Sequence, residues 1–490
     1  MKGVVAAGHP VTAEAGAQIL RAGGNAVDAA LAAMLASFVA EPQLTGLGAG
    51  GYMLVAEPGE APVLLDFFVE APGRGGASRE RAELVPAVVR FEAAIQVFNV
   101  GPASCGVYGT PAGICEAHRR WATVPLAELA AQAVALARAG VTVNAQQAYI
   151  LELLAPITQT TPEARARFWV GDRVAREGDV LRDPDLAAAL ERLGAEGSAP
   201  FYTGDVAHAV YERMAELGGA VTLADLAAYR VVEREPVRVS YRGRDVFTNP
   251  PPSAGGTLIA WVLAQLEREP GPPSLERLVG LMEQAQNART PDFLEGLGRA
   301  GFLAEFMSSR LGSTTHISVL DAEGRACSVT CTNGEGSGIL APGTGVHLNN
   351  MMGEEDLSPS GFFSHPPGRR LPSMMSPSIV RRGDEVELVL GSAGSNRIRS
   401  AILQVIIGVL DHRLGLREAV EAPRVHWEAG TVYAEPGVPL ERLAGDGRDI
   451  SSFRAINVFF GGAQAAGPDP RTGEITGAGD PRRGGAVVLA

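Results

Sequence analysis

Hydrophobic and polar residues alternate in two short stretches near residue 320, and this pattern predicts a β-hairpin. Residues 316–320 and 325–332 show the period of two that places successive side chains on opposite faces of a strand. Asp321-Ala322-Glu323-Gly324 between them predicts a tight turn, because Asp and Gly adopt turn conformations at low energetic cost. In this hairpin Thr314, at the start of the first strand, is expected to lie opposite Cys331 or Thr332.

The N-terminal part of the chain predicts two helices followed by a strand. Residues 12–22 form the first helix and residues 26–40 the second, with Asn25 as its cap. The second helix is apolar on most faces, which predicts that it is buried. The run Gly46-Leu47-Gly48-Ala49-Gly50-Gly51 matches a G-x-G-x-x-G pattern, but a helix precedes it and a strand, 52–56, follows it. A nucleotide site needs the opposite order, so we interpret the run as a turn with close backbone approach.

The remaining segments of the chain predict both helices and strands. The expected elements are a strand at 63–68, helices at 121–142 and 146–154, a hairpin over 237–248, a helix from Thr257, a mostly helical stretch at 275–301, a second hairpin made of 379–381 and 385–390, and a turn at 391–396 that enters a helix at 398–413.

Composition narrows the classes of function. The chain has 490 residues, a 46% hydrophobic content and a formal net charge of −13. An acidic chain is a poor partner for nucleic acids and anionic membranes, which require basic patches. Its four cysteines lack the spacing of a zinc site, and Cys327 and Cys331 on one strand are too far apart for a disulfide. No metal or cofactor is expected. We find no signal peptide pattern and no apolar run long enough to span a bilayer, so we expect a cytoplasmic protein.

The residues alone give few catalytic signals. No G-x-S-x-G or H-E-x-x-H motif is present. His316 is more typical of a structural strand histidine than of a base. Gly394-Ser395 precedes a predicted helix and offers backbone N–H groups that can stabilise an oxyanion, although such turns are often simple helix entries. The acidic run Glu354-Glu355-Asp356 is either solvated or a pocket for a substrate amine, and composition favours the solvated alternative.

Many short motifs, in order along nearly the whole chain, resemble those of one enzyme family. The matching stretches are Gly23-Gly24-Asn25-Ala26-Val27-Asp28-Ala29-Ala30, Leu47-Gly48-Ala49-Gly50-Gly51-Tyr52, Leu65-Asp66-Phe67, Ala71-Pro72, Gly109-Thr110-Pro111-Ala112-Gly113, Pro250-Pro251-Pro252-Ser253-Ala254-Gly255-Gly256, Thr314-Thr315-His316, Leu348-Asn349-Asn350, Ser373-Met374-Met375-Ser376-Pro377, Gly391-Ser392-Ala393-Gly394 and Asp480-Pro481-Arg482-Arg483. Together they resemble the γ-glutamyltranspeptidase family of N-terminal-nucleophile hydrolases.

This resemblance implies an α+β fold, in the form of a four-layer αββα sandwich, and a precursor that cuts itself. The cut is expected between Ser313 and Thr314, giving a large subunit, 1–313, and a small subunit, 314–490, that stay paired in one sandwich domain. Cleavage exposes an α-amine with a pKa near ~7.7–8, which can act as the base for the hydroxyl of the same threonine. An interior threonine has no such amine, so cleavage would switch the activity on.

The resemblance also assigns roles to individual residues. Thr314 is the nucleophile and Thr332 its hydrogen-bond partner, while Gly394 and Ser395 occupy the oxyanion-hole positions. The residues expected to contact substrate are Asp356 and the neighbouring Glu355 for an α-amine, Ser373 for a carboxylate, Met374 next to it in the same pocket, and Asn333 beside the helper threonine.

Several positions depart from the family pattern. Phe68 stands where the family has an arginine that clamps the substrate α-carboxylate, and Met374 replaces the second of two serines. Ser395 replaces a glycine, Gly334 an asparagine, and Met351 a Gln or Glu. The catalytic residues are therefore kept, whereas the residues that recognise a glutamyl group are changed.

The leading hypothesis is a self-processing amidase in which Thr314 attacks a γ-glutamyl or related amide and passes the acyl group to water or to an acceptor amine. Its expected partners are a small amide and an amino-acid or peptide acceptor, with no nucleic acid or membrane, and a homo-oligomer is compatible with this role. One alternative is an acylase or amidohydrolase for a non-glutamyl amide. A non-catalytic binding protein is disfavoured by the intact Thr314, Thr332 and Gly394, and nucleotide binding by Gly46–Gly51 is the weakest alternative.

Overall fold

The computed structural model describes residues 1–76, 83–90, 95–287, 315–358, 361–394, 396–443 and 447–490. Its helices are α1 Pro10–Arg21, α2 Ala26–Ala40, α3 Thr110–Trp121, α4 Leu126–Ala139, α5 Ala145–Leu153, α6 Ala155–Thr158, α7 Pro162–Phe168, α8 Pro184–Glu196, α9 Ala199–Tyr202, α10 Asp205–Glu216, α11 Leu223–Ala228, α12 Ala254–Glu267, α13 Leu275–Asn287, α14 Arg397–Leu410 and α15 Leu416–Glu421. Its strands are β1 Gly3–Ala7, β2 Gly50–Ala56, β3 Val63–Phe67, β4 Val85–Arg90, β5 Ile95–Val100, β6 Val141–Thr142, β7 Trp169–Val170, β8 Arg173–Val174, β9 Val180–Leu181, β10 Val232–Arg234, β11 Val237–Tyr241, β12 Arg244–Thr248, β13 Thr315–Asp321, β14 Ala326–Thr332, β15 Leu340–Ala341, β16 Val346–His347, β17 Ser378–Arg382, β18 Glu385–Ala393, β19 Val425–Glu428, β20 Thr431–Ala434, β21 Asp449–Ser452, β22 Gly462–Pro468, β23 Ile475–Gly479 and β24 Ala486–Leu489.

The predicted central hairpin is confirmed and forms the middle of the first large sheet. Strands β13 and β14 pair antiparallel, with Thr315 opposite Cys331 and Leu320 opposite Ala326. Within the described residues this sheet has seven strands in the order β10-β3-β2-β14-β13-β1-β24. The pairing of Thr314 itself lies outside the described residues.

The first sheet is apolar on both faces, as expected for an inner layer. Successive side chains of β2 point to opposite faces of the sheet. Leu54 packs into one hydrophobic cluster with the second sheet and helices α12 and α14. Val55 packs into another cluster with α1 and α2. Helix α2 is buried along its whole length, as its composition predicts. Asn25 caps this helix, and its side chain accepts hydrogen bonds from the N–H groups of Val27 and Asp28.

The second large sheet completes the architecture. Its described strands follow the order β11-β12-β17-β18-β22-β23, and β18 and β22 pack face to face on β13. Helices α12 and α14 cover its outer face, while α1 and α2 cover the outer face of the first sheet. The result is the expected four-layer αββα sandwich. None of the helices in the described part of the chain has the length and apolarity needed to cross a membrane.

A small polar layer lies between the two sheets. The His316 ring is hydrogen-bonded to the Thr330 hydroxyl at 2.8 Å and to the Ser318 hydroxyl at 2.9 Å. Burial lowers the pKa of His316 to about 3, so the ring is neutral at physiological pH. The ring also lies against Gly391 of β18, where a Cβ would come within 2.3 Å of it. These contacts support the structural interpretation of His316.

Two element predictions need correction. Residues 121–142 do not form one helix: α3 ends at Trp121, and α4 begins after Pro125, because proline lacks the N–H that would continue the helix. Residues 391–393 are not a turn but the end of β18, where Gly391 pairs with Gln464 and Ala393 with Gly462. This pairing with a distant strand has no local signal. The predicted helix at 275–301 is confirmed to Asn287, and its remainder lies outside the described residues.

A buried ionic network fixes the turn before the last strand. The Arg482 guanidinium pairs with the carboxylates of Glu435 and Asp480, and Arg424 pairs with Asp480 at 2.6 Å. All four side chains are 2% exposed or less. Because removing one member of such a network leaves an uncompensated buried charge, the turn 481–483 is held rigidly.

Candidate active site

Three strand ends from the two sheets meet at one edge of the sandwich. Because β13 and β14 are antiparallel, the start of β13 at Thr315 and the end of β14 at Thr332 lie at the same edge. Strand β18 runs toward this edge, since the Ser328 hydroxyl donates to the Leu390 carbonyl at 3.0 Å and Gly391 lies beside His316, closer to the edge. Gly394, which follows β18, therefore lies at this edge too. The fold brings together two of the predicted catalytic residues, Thr332 and Gly394, and the residue that follows the predicted nucleophile.

The Thr332 hydroxyl is buried and oriented. Its oxygen accepts a hydrogen bond from the Gly334 N–H at 2.7 Å, and the side chain is 1% exposed. A hydroxyl has one proton to donate in addition to its lone pairs. With the oxygen already accepting from Gly334, that proton is available to a neighbouring oxygen.

Gly334 makes room for a polar group next to Thr332. A Cβ at this position would lie 2.0 Å from Asn350 Oδ1 and 2.5 Å from Glu354 Oε1, and its φ of +65° favours glycine. Asn333, the predicted substrate contact, is buried and donates from Nδ2 to the His347 carbonyl at 3.2 Å. The Glu354 carboxylate, which the sequence analysis did not place in the site, therefore lies beside Gly334, two residues after Thr332.

Gly394 sits against the neighbouring backbone. Its φ is +125°, and a Cβ there would come within 2.5 Å of Gly461 Cα. Only glycine fits this conformation and this contact. Ser395, the other residue predicted for the oxyanion hole, lies outside the described residues, as do Ser313 and Thr314.

The predicted substrate-binding residues occupy different environments. Ser373 is buried, and its hydroxyl accepts from the Met375 N–H at 3.0 Å. Met374 is fully buried in the core between the sheets. Glu355 is exposed on the short 3-10 helix Glu355–Leu357. Asp356 belongs to the same turn, but its side chain lies outside what the structure describes.

Phe68 places a buried aromatic ring at the end of β3. Its ring is 1% exposed and stacks on Tyr52 with 5.5 Å between centroids. Arg74, a few residues further along the chain, and Arg397, after the Gly394 turn, are two candidate replacements for the family arginine, and both are engaged. Arg74 pairs with Glu70 at 2.8 Å, and Arg397 lies 3.7 Å from a Glu428 carboxylate oxygen and donates to the Phe459 carbonyl.

Three charged residues near the strand ends are missing from the sequence prediction. The Thr315 hydroxyl donates to Glu41 at 2.9 Å, and burial raises the pKa of that carboxyl group. Arg483 lies beside Gly394, since its Nη2 is 3.6 Å from the position of a Gly394 Cβ. Glu335 follows Gly334. The sequence contained two signals that could have pointed to these residues. Glu41 is a charged residue directly after an apolar helix, and Arg483 is the second arginine of its motif.

Burial and nearby charges shift the pKa values of Glu335 and Arg483. The pKa of Glu335 is raised to about 7 by burial, against the opposing effects of the Asn350 side chain and the positive charges of Arg483 and Arg397. The pKa of Arg483 is lowered to about 10, again chiefly by burial. Arg483 therefore remains charged at neutral pH, while Glu335 titrates there.

We expect Glu335→Gln to change the pH dependence of stability. Since the folded-state pKa of Glu335 lies above its ordinary value, the folded protein holds this proton more tightly than the unfolded chain does. Relative to a variant that cannot ionise at this position, the free energy of unfolding of the wild type should fall as the pH rises from about 4.5 to 7. The melting temperature of Glu335→Gln should therefore exceed that of wild type by more at pH 8 than at pH 5. An equal difference at both values would contradict the shift.

No set of three or more His, Cys, Asp or Glu side chains in the described ranges is arranged to hold a metal ion. The four cysteines are free thiols.

Comparison with known proteins identifies the family. The Gamma-glutamyltranspeptidase family model matches residues 12–295 and 272–490, which is nearly the whole chain. The chain belongs to the γ-glutamyltranspeptidase family. Among its relatives in this family is the Acylase ACY 1 proenzyme of Pseudomonas sp. (strain SE83), 32% identical over 99% of this chain and 93% of the relative. The Glutathione hydrolase proenzyme of Escherichia coli (strain K12) is 31% identical over 98% of this chain and 90% of the relative.

A solved structure supports the same family assignment. The cephalosporin acylase from Bacillus halodurans superimposes with a TM-score of 0.85 and 26% identity, covering 99% of this chain and 95% of that one. Members of the γ-glutamyltranspeptidase family act on amide bonds, and both relatives named above are proenzymes.

Proposed function

We propose that this chain is a self-cleaving amidase in which Thr314 is the nucleophile of the mature enzyme. One observation carries the proposal: the hairpin register, with Thr315 opposite Cys331, brings the start of β13 to the edge occupied by Thr332 and Gly394. The family membership supplies the chemistry expected at this edge. A denaturing gel with intact-mass analysis of the purified protein tests the cleavage.

Each group at the edge has a defined part in the proposed reaction. After cleavage, the α-amine of Thr314 takes the proton of its own hydroxyl, and the oxygen attacks the amide carbonyl carbon. The Gly394 N–H donates to the oxyanion that forms, and the Ser395 N–H is the second candidate donor. The C–N bond then breaks, the amine leaves with a proton, and an ester links the acyl group to Thr314. Water or an acceptor amine attacks this ester and restores the hydroxyl.

Thr332 is proposed to orient the nucleophile. Its oxygen accepts from the Gly334 N–H, so its own proton can be donated to the nucleophile oxygen. This hydrogen bond would fix the direction of the lone pair that attacks and would stabilise negative charge on the oxygen.

We expect Thr332→Val to fold but to lose turnover by about 100-fold or more, a loss comparable to that from removing one positioned donor in other acyl-transfer sites. Valine keeps the shape and removes the hydroxyl. The measurement is kcat for an acyl p-nitroanilide on protein with confirmed cleavage, alongside the rate of cleavage itself. Thr332→Ser retains the hydroxyl and should keep most of the activity.

Thr330→Val is the matched control for this variant. Thr330 is also buried on β14, but its hydroxyl bonds to His316 between the sheets, away from the edge. This control should lose stability more than turnover. Equal turnover in wild type and Thr332→Val would rule out the orienting role.

A further inference from the structure

Glu41 is a buried acidic residue directly behind the start of β13. It is the C-cap residue of α2 and is 5% exposed. The Thr315 hydroxyl donates to its Oε2 at 2.9 Å, and the Thr12 hydroxyl donates to its Oε1 at 3.2 Å. A Cβ on Gly8 would lie 2.6 Å from the same Oε2, so the glycine leaves room for the carboxyl group. Because a buried carboxyl group needs donors to offset its lost hydration, these two hydroxyls fix its position.

Glu41 lies on the face of the first sheet that is turned toward the helices. Successive side chains of β13 point to opposite faces. Ile317 packs into the hydrophobic cluster with α1 and α2, whereas His316 lies in the polar layer between the sheets. Thr315 therefore shares the helix side with Glu41. Thr332 lies on the other face, two residues after the β14 partner of His316, so Glu41 can influence that side only through Thr315.

The turn that begins at Glu41 also holds the end of β14. The N–H groups of Leu44 and Thr45 donate to the Glu41 carbonyl at 2.9 and 3.2 Å. The Leu44 carbonyl accepts from the Asn333 N–H at 2.8 Å, and the Thr45 hydroxyl donates to the Cys331 sulfur at 3.1 Å. One turn thus contacts the first residue of β13 and both residues that flank the helper threonine. It sets the spacing between the two strand ends from behind.

Thr315 has few other restraints among the described residues. The register of β1 with β13 extends only to Ala7 opposite Ile317, so Thr315 pairs through its backbone with Cys331 on one side. After the proposed cut Thr314 is a chain terminus, and a terminus frays unless contacts tie it down. The hydrogen bond from the second residue, Thr315, to Glu41 supplies such a contact.

We infer that Glu41 is a positioning residue for the proposed nucleophile: it holds Thr315 from the helix side of the sheet and thereby keeps the α-amine and hydroxyl of Thr314 in place beside Thr332. This inference rests on the proposed amidase function and adds a residue that does not touch the substrate. A misplacement of about 1 Å can cost roughly 100-fold in rate, so turnover should depend on this contact.

The test removes each end of the hydrogen bond in turn. Glu41→Leu and Thr315→Val should each lower kcat about 10- to 100-fold with KM unchanged. The double variant should be no slower than the slower single variant, because both changes remove the same contact. Glu41→Gln keeps an acceptor oxygen and should restore most of the turnover. Thr12→Val, the matched control, removes the other donor to the same carboxyl group and should lower the melting temperature while kcat stays near that of wild type.

A second measurement does not depend on turnover. Residues 314–490 contain no lysine, so reductive methylation of this fragment, followed by mass spectrometry, reports the α-amine of Thr314 alone. The amine should be methylated faster in Glu41→Leu than in wild type, because a terminus that is not held is more accessible. Thr12→Val should match wild type. Gly8→Ala crowds the carboxyl group without removing a polar atom, and it should lower kcat in the same direction even where Glu41→Leu does not fold.

The outcomes separate the inference from the proposed function. A folded and cut Glu41→Leu protein with wild-type kcat and wild-type methylation would overturn the inference and leave the amidase intact. A lower melting temperature with unchanged kcat would show a purely structural role and overturn it as well. Self-cleavage should slow in the same order of variants, since the same hydroxyl performs both steps, so a folded variant that stays uncut supports the inference. A wild-type protein that gives no fragment beginning at Thr314 would refute the proposed function itself.

Discussion

Thr314→Ala should leave the protein as one uncut polypeptide of 51.1 kDa without measurable amidase activity. The substitution removes the hydroxyl that the proposed mechanism needs twice, once to attack the preceding peptide bond and once to attack the substrate. Wild-type protein should instead give a fragment that begins at Thr314 and ends at Ala490. Intact-mass spectrometry of both proteins, followed by an anilide assay, measures both effects.

Thr314→Ser is the matched control, because serine keeps a hydroxyl and gains the same α-amine on cleavage. It should cut, more slowly, and retain activity. A wild-type protein that remains in one piece while hydrolysing amides would contradict the assignment of Thr314. So would cleavage of Thr314→Ala at the same bond.

The enzyme should turn over γ-glutamyl-p-nitroanilide at least about 100-fold less efficiently than phenylacetyl-p-nitroanilide, because a buried carboxylate without a partner costs several kcal/mol and each ~1.4 kcal/mol is tenfold. The α-carboxylate of a glutamyl group needs donors where the family arginine stands. Here that position is Phe68, which is buried against Tyr52. Since p-nitroaniline is the leaving group in both substrates, the comparison of kcat/KM isolates the acyl half.

Two candidate replacements for the family arginine, Arg74 and Arg397, do not remove the expected penalty. Arg74 and Arg397 already contact Glu70 and Glu428, so binding a substrate carboxylate would require them to give up a partner. Efficient γ-glutamyl turnover with a sub-millimolar KM would refute the prediction. In that case Arg74→Ala and Arg397→Ala would show which of the two had exchanged partners.

Local sequence patterns predicted much of the fold, because the elements concerned are specified by their own residues. The alternation over 316–332 and the Asp–Gly turn gave the central hairpin, and the capped apolar run gave α2 with its observed ends. The break between α3 and α4 and the extension of β18 to Ala393 were predicted wrongly. The second error arose because Gly391-Ser392-Ala393 is a strand only by virtue of its pairing with β22.

Of the residues at the site, only those that match positions of the family were predicted. Thr332 and Gly394 match positions of the family, and the fold brings them to one edge. Glu41 and Glu335 lie outside the family motifs, and Arg483 lies in a motif to which no role was assigned. The three residues are far apart in the chain, so their proximity depends on tertiary packing. The charge environment of a site is set by these distant contacts, so no local pattern in the sequence indicated the position of Arg483.

The seven-stranded sheet has a further consequence for a molecule cut before Thr314. Strands from the two pieces are interleaved: β10, β3 and β2 precede the cut, β14 and β13 follow it, β1 precedes it and β24 follows it. The other large sheet is mixed as well, since β12 of the first piece pairs with β17 of the second. Neither piece contains either large sheet complete, so dilution cannot separate them without unfolding both. Two differently labelled preparations of the mature enzyme should therefore not exchange pieces on mixing, and hybrids should form only when both are refolded together from denaturant.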